Sequence, residues 1–108
     1  MEKVLVIAEV GINHNGDLRL AKDLISRAHD AGADLVKFQK RDLSLCYTVT
    51  ELEQPRFGPW GQTNGDLKRL LEFNGRDYEE IARHCALVGV DWTASVWDVP
   101  SQDRKSVV

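Results

Sequence analysis

The feature that most constrains the fold is a helix-to-strand junction that occurs twice along the chain. Ala31-Gly32-Ala33-Asp34 precedes one apolar segment, and Val88-Gly89-Val90-Asp91 precedes another. In each case a glycine that can end a helix is followed by residues that favour a strand. A junction repeated in this way predicts a repeating α/β unit, with a parallel sheet or barrel rather than an α+β sandwich. Asp34 and Asp91 begin these strands, so we expect structural roles for both.

Apolar patterning predicts three strands and three helices. A continuous apolar run at residues 4–8 is typical of a strand covered on both faces, and residues 34–39 and 90–95 are the second and third predicted strands. Between the second strand and the helices that follow it, residues 42–65 lack periodicity and carry proline and glycine breakers, which predicts a long lid or binding loop. Amphipathic stripes predict helices that start near Asp17, near Asp66 and, through a capping box with Glu80, at Asp77, and Gly32 and Gly89 are expected to end the first and third.

Length and charge exclude several classes of protein. The 108 residues suffice for one domain but fall well short of the roughly 250 that a closed (β/α)₈ barrel takes. A net charge of -3 gives no basic footprint for nucleic acid, and the segment GINHNG lacks the dinucleotide spacing G-x-G-x-x-G. Without a membrane-length apolar run or a signal-peptide cleavage region, the sequence predicts a cytoplasmic protein with no membrane partner. Cys46 and Cys85 are expected to be free thiols.

Polar side chains are expected to meet at the carboxyl ends of the strands, where parallel α/β proteins bind ligands. Glu9 ends the first strand, Lys37 and Gln39 share a face of the second, and Ser95 and Trp97 share a face of the third. A carboxylate, an ammonium, an amide and a hydroxyl at one mouth suit an anionic substrate with carbonyl or hydroxyl groups, with Lys37 as the anion ligand. The alternative is that strand ends are polar because they meet water and that Lys37 extends to solvent.

Histidines and tryptophans give weaker signals. His14, in the loop after the first strand, is interpreted either as a ligand or proton carrier or as a histidine that satisfies local backbone groups. His29 and His84 fall on the polar sides of helices, which predicts solvated roles. Trp60 can cap a ligand from the long loop, whereas Trp92, opposite in parity to Ser95, is expected to pack against a helix.

Four segments carry a family resemblance. In order and with matching spacing from about Val4 to Ser101, the chain resembles the amino-terminal part of N-acetylneuraminate (sialic acid) synthases, and GINHNGD and VKFQKR are specific to it. The resemblance implies that the chain holds about three βα units of a (β/α)₈ TIM barrel. It also implies condensation of phosphoenolpyruvate with an N-acylated hexosamine of the N-acetylmannosamine type, with release of phosphate. The segments are AEVGINHNGDLRLAKDLI, AGADLVKFQKR, NGDLKRLLEF and VDWTASVWDVPS.

The resemblance assigns roles to four residues. Glu9 matches the family's essential carboxylate, Lys37 its phosphoenolpyruvate-binding lysine and Gln39 a sugar-side contact. Ser95 takes a hydroxyl position that lines the phosphoenolpyruvate pocket. The resemblance further implies a divalent metal, manganese or magnesium, whose ligands lie on later strands outside this chain, and a homodimer when the enzyme is full length. Many members carry a small carboxyl-terminal antifreeze-like domain. Legionaminic and pseudaminic acid synthases are close alternatives.

The resemblance stops after Ser101. Residues 103–108 replace the apolar helix that family members have here, and they match one reading frame of a widely used sequencing adapter. We therefore expect residues 1–102 to be a partial barrel domain and residues 103–108 to be a non-native read-through tail. The alternative to an enzyme is that this polypeptide is an inactive truncated fragment, or a small binding module without catalysis of its own.

Overall fold

The computed structural model of the protein describes residues 4–96, so the predictions for Trp97 and for residues 103–108 lie outside the described part. No helix in this part is long and apolar enough to cross a membrane. The elements in chain order are β1 (Ile7–Gly11), α1 (Leu18–Asp30), β2 (Leu35–Lys40), α2 (Leu43–Cys46), α3 (Val49–Glu53), β3 (Pro55–Gly58), β4 (Gly61–Thr63), α4 (Asn64–Leu71), α5 (Gly75–Val88) and β5 (Asp91–Val96).

The three long strands form one parallel sheet in the order β1-β2-β5, which confirms the predicted α/β fold. All three strands begin later than predicted, and β1 shows why. The backbone N–H of Val6 donates to the Asp34 side chain at 2.9 Å, and the Val6 carbonyl accepts from the N–H of Asp34. Val6 is therefore held by the start of the next strand instead of by a regular ladder. The same contacts confirm a structural role for Asp34.

Side-chain caps define the two long helices. Asp17 caps α1 by accepting from the N–H groups of Arg19 and Leu20. The predicted capping box of Asp77 and Glu80 is wrong: Asn74 caps α5 and exchanges hydrogen bonds with Asp77, which occupies the third helical position. Asparagine is as good an N-cap residue as aspartate. The N-cap is therefore Asn74, and α5 begins earlier in the chain than predicted. At the other end Gly89 closes α5 with φ 92°, as predicted.

Residues 42–65 are not the predicted structureless loop. They contain two short helices, α2 and α3, and an antiparallel pair, β3 and β4. Local side-chain contacts stabilise these pieces: Asp42 caps α2, and Thr48 and Glu51 form a capping box on α3. Hydrophobic periodicity misses such elements because each is too short to repeat a pattern.

One face of the sheet packs against α1 and α5. Val36 and Phe38 of β2 are fully buried there together with Ile25 and Ile81 of the helices. The ring of Trp92 stacks on Tyr78 with centroids 5.7 Å apart, which confirms its predicted packing role. This layer is the hydrophobic core of the described chain.

The predictions for Cys85 and for the helix histidines have different outcomes. Cys85 is a free thiol, as predicted, and burial raises its pKa to about 11. The solvated role predicted for His84 is wrong, since its Nε2 lies 2.9 Å from the Ser26 hydroxyl and joins α5 to α1. Helical periodicity places His84 beside the buried stripe of α5 but does not show that a second helix lies next to it. His29 is exposed, as expected.

The opposite face of the sheet is open. Leu5 and Ile7 on that face keep 63% and 49% of their surface exposed. Glu9, Lys37 and Gln39 extend from the same face, because paired residues of parallel neighbours lie on the same side. The candidate site is therefore built on the uncovered face.

Candidate functional site

Strand register brings the four predicted site residues onto one face at the carboxyl edge of the sheet. Glu9 of β1 pairs with Lys37 of β2, which pairs with Thr93 of β5. One step further along, Gln39 pairs with Ser95. Because side chains alternate along a strand, the two rows lie on the same side. Thr93 was not among the predicted site residues, although its parity with Ser95 is visible in the sequence.

Lys37 forms an ion pair with Glu9. The Nζ of Lys37 lies 3.1 Å from Oε2 of Glu9, and the two side chains are 37% and 46% exposed. The lysine therefore does not extend into solvent alone, because its ammonium group contacts a carboxylate. An ammonium group has three donors, and this contact uses one of them. The pair is therefore compatible with an additional anion at the same nitrogen.

Gly11 allows the carboxylate and the amide to come close to the backbone. The ladder shifts register between Glu9 and Gly11, and Gly11 has φ 57°. A Cβ atom at this position would lie 3.1 Å from Oε1 of Glu9 and 3.6 Å from Nε2 of Gln39. The positive φ favours glycine here, and a larger residue would also push the Glu9 carboxylate by a few tenths of an ångström.

His14 is a structural residue under the site. Its side chain is 1% exposed, its Nδ1 accepts from the Gly16 N–H at 3.0 Å, and its ring stacks on Phe73 with centroids 4.0 Å apart. Burial lowers the pKa of His14 to about 4, although a hydrogen bond to the Gly11 backbone opposes this shift. The imidazole is therefore neutral near pH 7. Of the two interpretations of His14, the one in which it satisfies local backbone groups is correct.

Two cations that follow the site residues are buried behind the sheet. Lys40 is 6% exposed and donates to the carbonyl of Phe73 at 3.2 Å. Arg41 is 7% exposed, and its Nε lies 2.8 Å from Oε1 of Glu72. Burial alone would lower the pKa of Arg41, but the hydrogen bond and the charge of Glu72 outweigh burial and raise it. Neither cation belongs to the open face that carries Lys37.

Trp60 has a role within its own hairpin. Its indole N–H donates to the carbonyl of Arg56 at 2.9 Å, and its ring lies against Gly58. The guanidinium of Arg56 lies 5.9 Å from the ring centre. These contacts place Trp60 on the β3–β4 pair and show no contact with the site residues.

Residues 4–96 contain no cluster of three histidine, cysteine or acidic side chains that could hold a metal ion. Glu9 is the carboxylate of the site, and its charge is already compensated by Lys37.

The fold and the candidate site together define a class: an α/β protein whose parallel sheet carries a carboxylate, an ammonium, an amide and hydroxyl groups at its carboxyl edge. A family model places the chain within this class. The NeuB family model matches residues 24–104, and the chain belongs to the NeuB family.

Similar proteins are named as N-acetylneuraminate-9-phosphate synthases and N,N'-diacetyllegionaminic acid synthases. The chain is 44% identical to human N-acetylneuraminate-9-phosphate synthase over 86% of its own length and 26% of that protein. It is 37% identical to N,N'-diacetyllegionaminic acid synthase of Legionella pneumophila over 91% of its length and 28% of that protein. The chain therefore spans about a quarter of the length of these relatives.

A solved structure supports the same relationship. The crystal structure of N-acetylneuraminic acid synthetase from Leptospira borgpetersenii, in complex with citrate, superposes with a TM-score of 0.74 and 28% sequence identity. The match covers 98% of this chain and 33% of that chain. The described architecture is thus similar to that of about a third of the Leptospira protein.

Proposed function

We propose that this chain forms part of the active site of a synthase that condenses phosphoenolpyruvate with an N-acylated hexosamine and releases phosphate. The product would be a sialic acid or a related nonulosonic acid. The observation that carries this proposal is the Glu9–Lys37 ion pair beside Gln39 on the open strand face. The synthase names of the family relatives support the same reaction class.

Each site residue has a role in this proposal. Lys37 binds the phosphate or the carboxylate of phosphoenolpyruvate through the donors that Glu9 does not use. Glu9 holds a proton or orients water at the reacting carbons. Gln39 contacts the sugar through its amide, and Ser95 lines the phosphoenolpyruvate pocket with its hydroxyl.

The proposal requires more protein than the described residues. We propose that the three parallel strands belong to an eight-stranded barrel, in which the exposed Leu5 and Ile7 would face the other strands. The divalent metal would be held by residues of later strands and would polarise the sugar aldehyde when bound. A homodimeric, cytoplasmic enzyme is part of the same proposal.

One experiment tests the proposed function. The full-length protein that carries this chain is incubated with phosphoenolpyruvate, manganese or magnesium, and one of several sugars, and released phosphate is measured. The panel contains N-acetylmannosamine, its 6-phosphate and diacetylated hexosamines, so that it also identifies the sugar class. We expect phosphate release that depends on one of these sugars. Phosphate release that is absent with every sugar, or that is independent of the sugar, contradicts the proposal and favours a binding module.

A further inference from the structure

The carboxyl end of β2 is held from behind by the segment that joins α4 to α5 and by the first turn of α5. The hydroxyl of Tyr78 donates to the Gln39 carbonyl at 3.1 Å. The backbone N–H and the Nε of Arg41 donate to the two carboxylate oxygens of Glu72, at 3.2 and 2.8 Å. Between these contacts, Lys40 donates to the Phe73 carbonyl. We call Arg41, Glu72 and Tyr78 the β2 latch.

The central ion pair of the β2 latch is buried. The Arg41 and Glu72 side chains are only 5% and 13% exposed, and the hydroxyl of Tyr47 lies 2.9 Å from Nη1 of Arg41. A buried ion pair loses much of its Coulomb gain to desolvation, so it is weak support for overall stability. Its two-point geometry instead fixes the position of the groups that it joins.

The β2 latch acts on the residue that the proposed site uses for the sugar. Gln39 and Lys40 extend to opposite faces of β2, so contacts that hold the backbone of residues 39–41 from behind fix the point and direction from which the Gln39 side chain leaves the strand in front. Burial raises the pKa of Tyr78, which keeps its hydroxyl protonated as a donor to Gln39. Lys37 lies two residues earlier, between β1 and β5, and has its own partner in Glu9.

We propose that Arg41, Glu72 and Tyr78 are positioning residues that set the Gln39 amide for the sugar substrate, while leaving the phosphoenolpyruvate contact of Lys37 nearly independent. This inference rests on the proposed function and distinguishes the residues that bind substrate from the residues that position them. The front of the sheet binds the substrates, and the α4–α5 junction determines where one of the binding groups lies.

The test uses the full-length protein and two variants that differ in severity. Arg41→Lys keeps the charge but loses the planar fork, and Tyr78→Phe removes only a hydroxyl while its ring remains stacked on Trp92. We expect the KM for the sugar to rise about tenfold in Arg41→Lys and about threefold in Tyr78→Phe, as for the loss of a charged and a neutral hydrogen bond. The KM for phosphoenolpyruvate should stay within about twofold. Arg83→Lys, at an ion pair with a 72% exposed arginine, is the matched control and should behave as wild type.

A double-variant cycle separates positioning from general structural damage. In a Gln39→Ala background, Arg41→Lys should leave the sugar KM unchanged, because the residue through which the latch acts is gone. An equal rise of both KM values in Arg41→Lys, or the same rise with and without Gln39, overturns the inference.

A spectroscopic readout keeps the inference separate from the proposed function. If the wild-type protein releases no phosphate with any sugar, the proposed function fails, and nitrogen-15 relaxation of the Gln39 side-chain NH₂ still tests the latch. That group should be ordered in the wild type and in Arg83→Lys, and mobile in Tyr78→Phe. Equal order in all three proteins overturns the inference regardless of activity.

Discussion

Lys37 combines an internal partner with donors that point toward the open face. In the full-length form of the proposed synthase we expect Lys37→Ala to raise the KM for phosphoenolpyruvate by about one to two decades, because a charge-assisted contact contributes roughly 1.5 to 3 kcal/mol. The KM for the sugar should change much less. Steady-state kinetics with each substrate varied in turn makes the measurement.

The control for Lys37 is chosen by geometry. Lys22 forms an ion pair of nearly the same length, 3.0 Å, and exposure, 34%, with Glu80 on the helix side of the sheet. Lys22→Ala should therefore leave both KM values unchanged. Equal losses for the two substrates in Lys37→Ala would count against its assignment to phosphoenolpyruvate.

Glu9 is the candidate for proton handling. Glu9→Gln keeps the shape of the side chain and removes its charge, so both substrates should still bind while kcat falls. General acid or base assistance is typically worth about 10² to 10⁴ in rate. The kcat of Glu9→Gln is compared with that of Glu80→Gln, the matched carboxylate of the Lys22 pair. A reduction of about tenfold or less would refute a catalytic role for Glu9.

His14 makes stability depend on pH. The pKa of His14 is about 4 in the folded chain, below the ordinary value of 6.5. Between these two pH values the unfolded chain therefore binds more protons than the folded chain does. The contribution is fully present above about pH 6.5 and is lost as the pH falls through about 4, with a total on the order of 3 kcal/mol. His14→Asn keeps an acceptor for the Gly16 N–H but does not titrate.

Urea unfolding measures the pH effect of His14. Between pH 7 and pH 5 the wild type should lose more stability than His14→Asn, although the variant starts from a lower value because the ring stack on Phe73 is gone. Parallel pH profiles for the two proteins would show that His14 does not have the depressed pKa.

At the residue scale the sequence predicts the strand face on which a side chain lies better than it predicts the residue that the side chain contacts. Strand alternation places Lys37 and Gln39 on one face correctly, because that is a local property of the backbone. The pairing of Lys37 with Glu9 depends on the register of two strands separated by a helix, which no local pattern encodes. The burial of His14 and Arg41 was missed for a related reason, since both are covered by the segment around Phe73 and Glu72, more than 30 residues away.

At the scale of the elements, the cap of α5 is the clearest local determinant. Asn74→Ala removes the acceptor for the Asp77 N–H and should lower the free energy of unfolding by about 1 kcal/mol. Asn74→Asp keeps an acceptor at the same place and should be close to wild type. The urea midpoints of the three proteins test this, and a similar loss in both variants would show that the cap is not what stabilises the helix start.

Elements are predictable from sequence in proportion to their length. The helices α1 and α5 and the three parallel strands were found, because each buries a stripe or a run long enough to show periodicity. The segments α2, α3, β3 and β4 span three to five residues each and depend on caps and turns instead. Their signals were present in Asp42 and in the pair of Thr48 and Glu51, but such pairs occur often without a helix behind them.

At the scale of the whole molecule, the open face predicts the behaviour of the chain made alone. Residues 1–108 should release no phosphate and bind the catalytic metal poorly, and should aggregate or remain molten. The reason is that the apolar side chains of Leu5 and Ile7 stay 63% and 49% exposed beside the charged site. Size-exclusion chromatography, amide exchange and turnover with both substrates and manganese measure the three properties. A monomeric, protected and active chain would contradict the barrel proposal.

The Glu9–Lys37 pair also determines how an anion would reach the site. The two opposite charges lie 3.1 Å apart and cancel at a distance, and the chain as a whole carries a net charge of -3. The mouth therefore projects little positive potential into solution, and electrostatic steering would contribute little to the encounter. The association rate constant of an anionic ligand should consequently change little as added salt shortens the screening length from about 30 Å to about 8 Å. Such a ligand would find the ammonium by diffusion and would sense its charge only on contact.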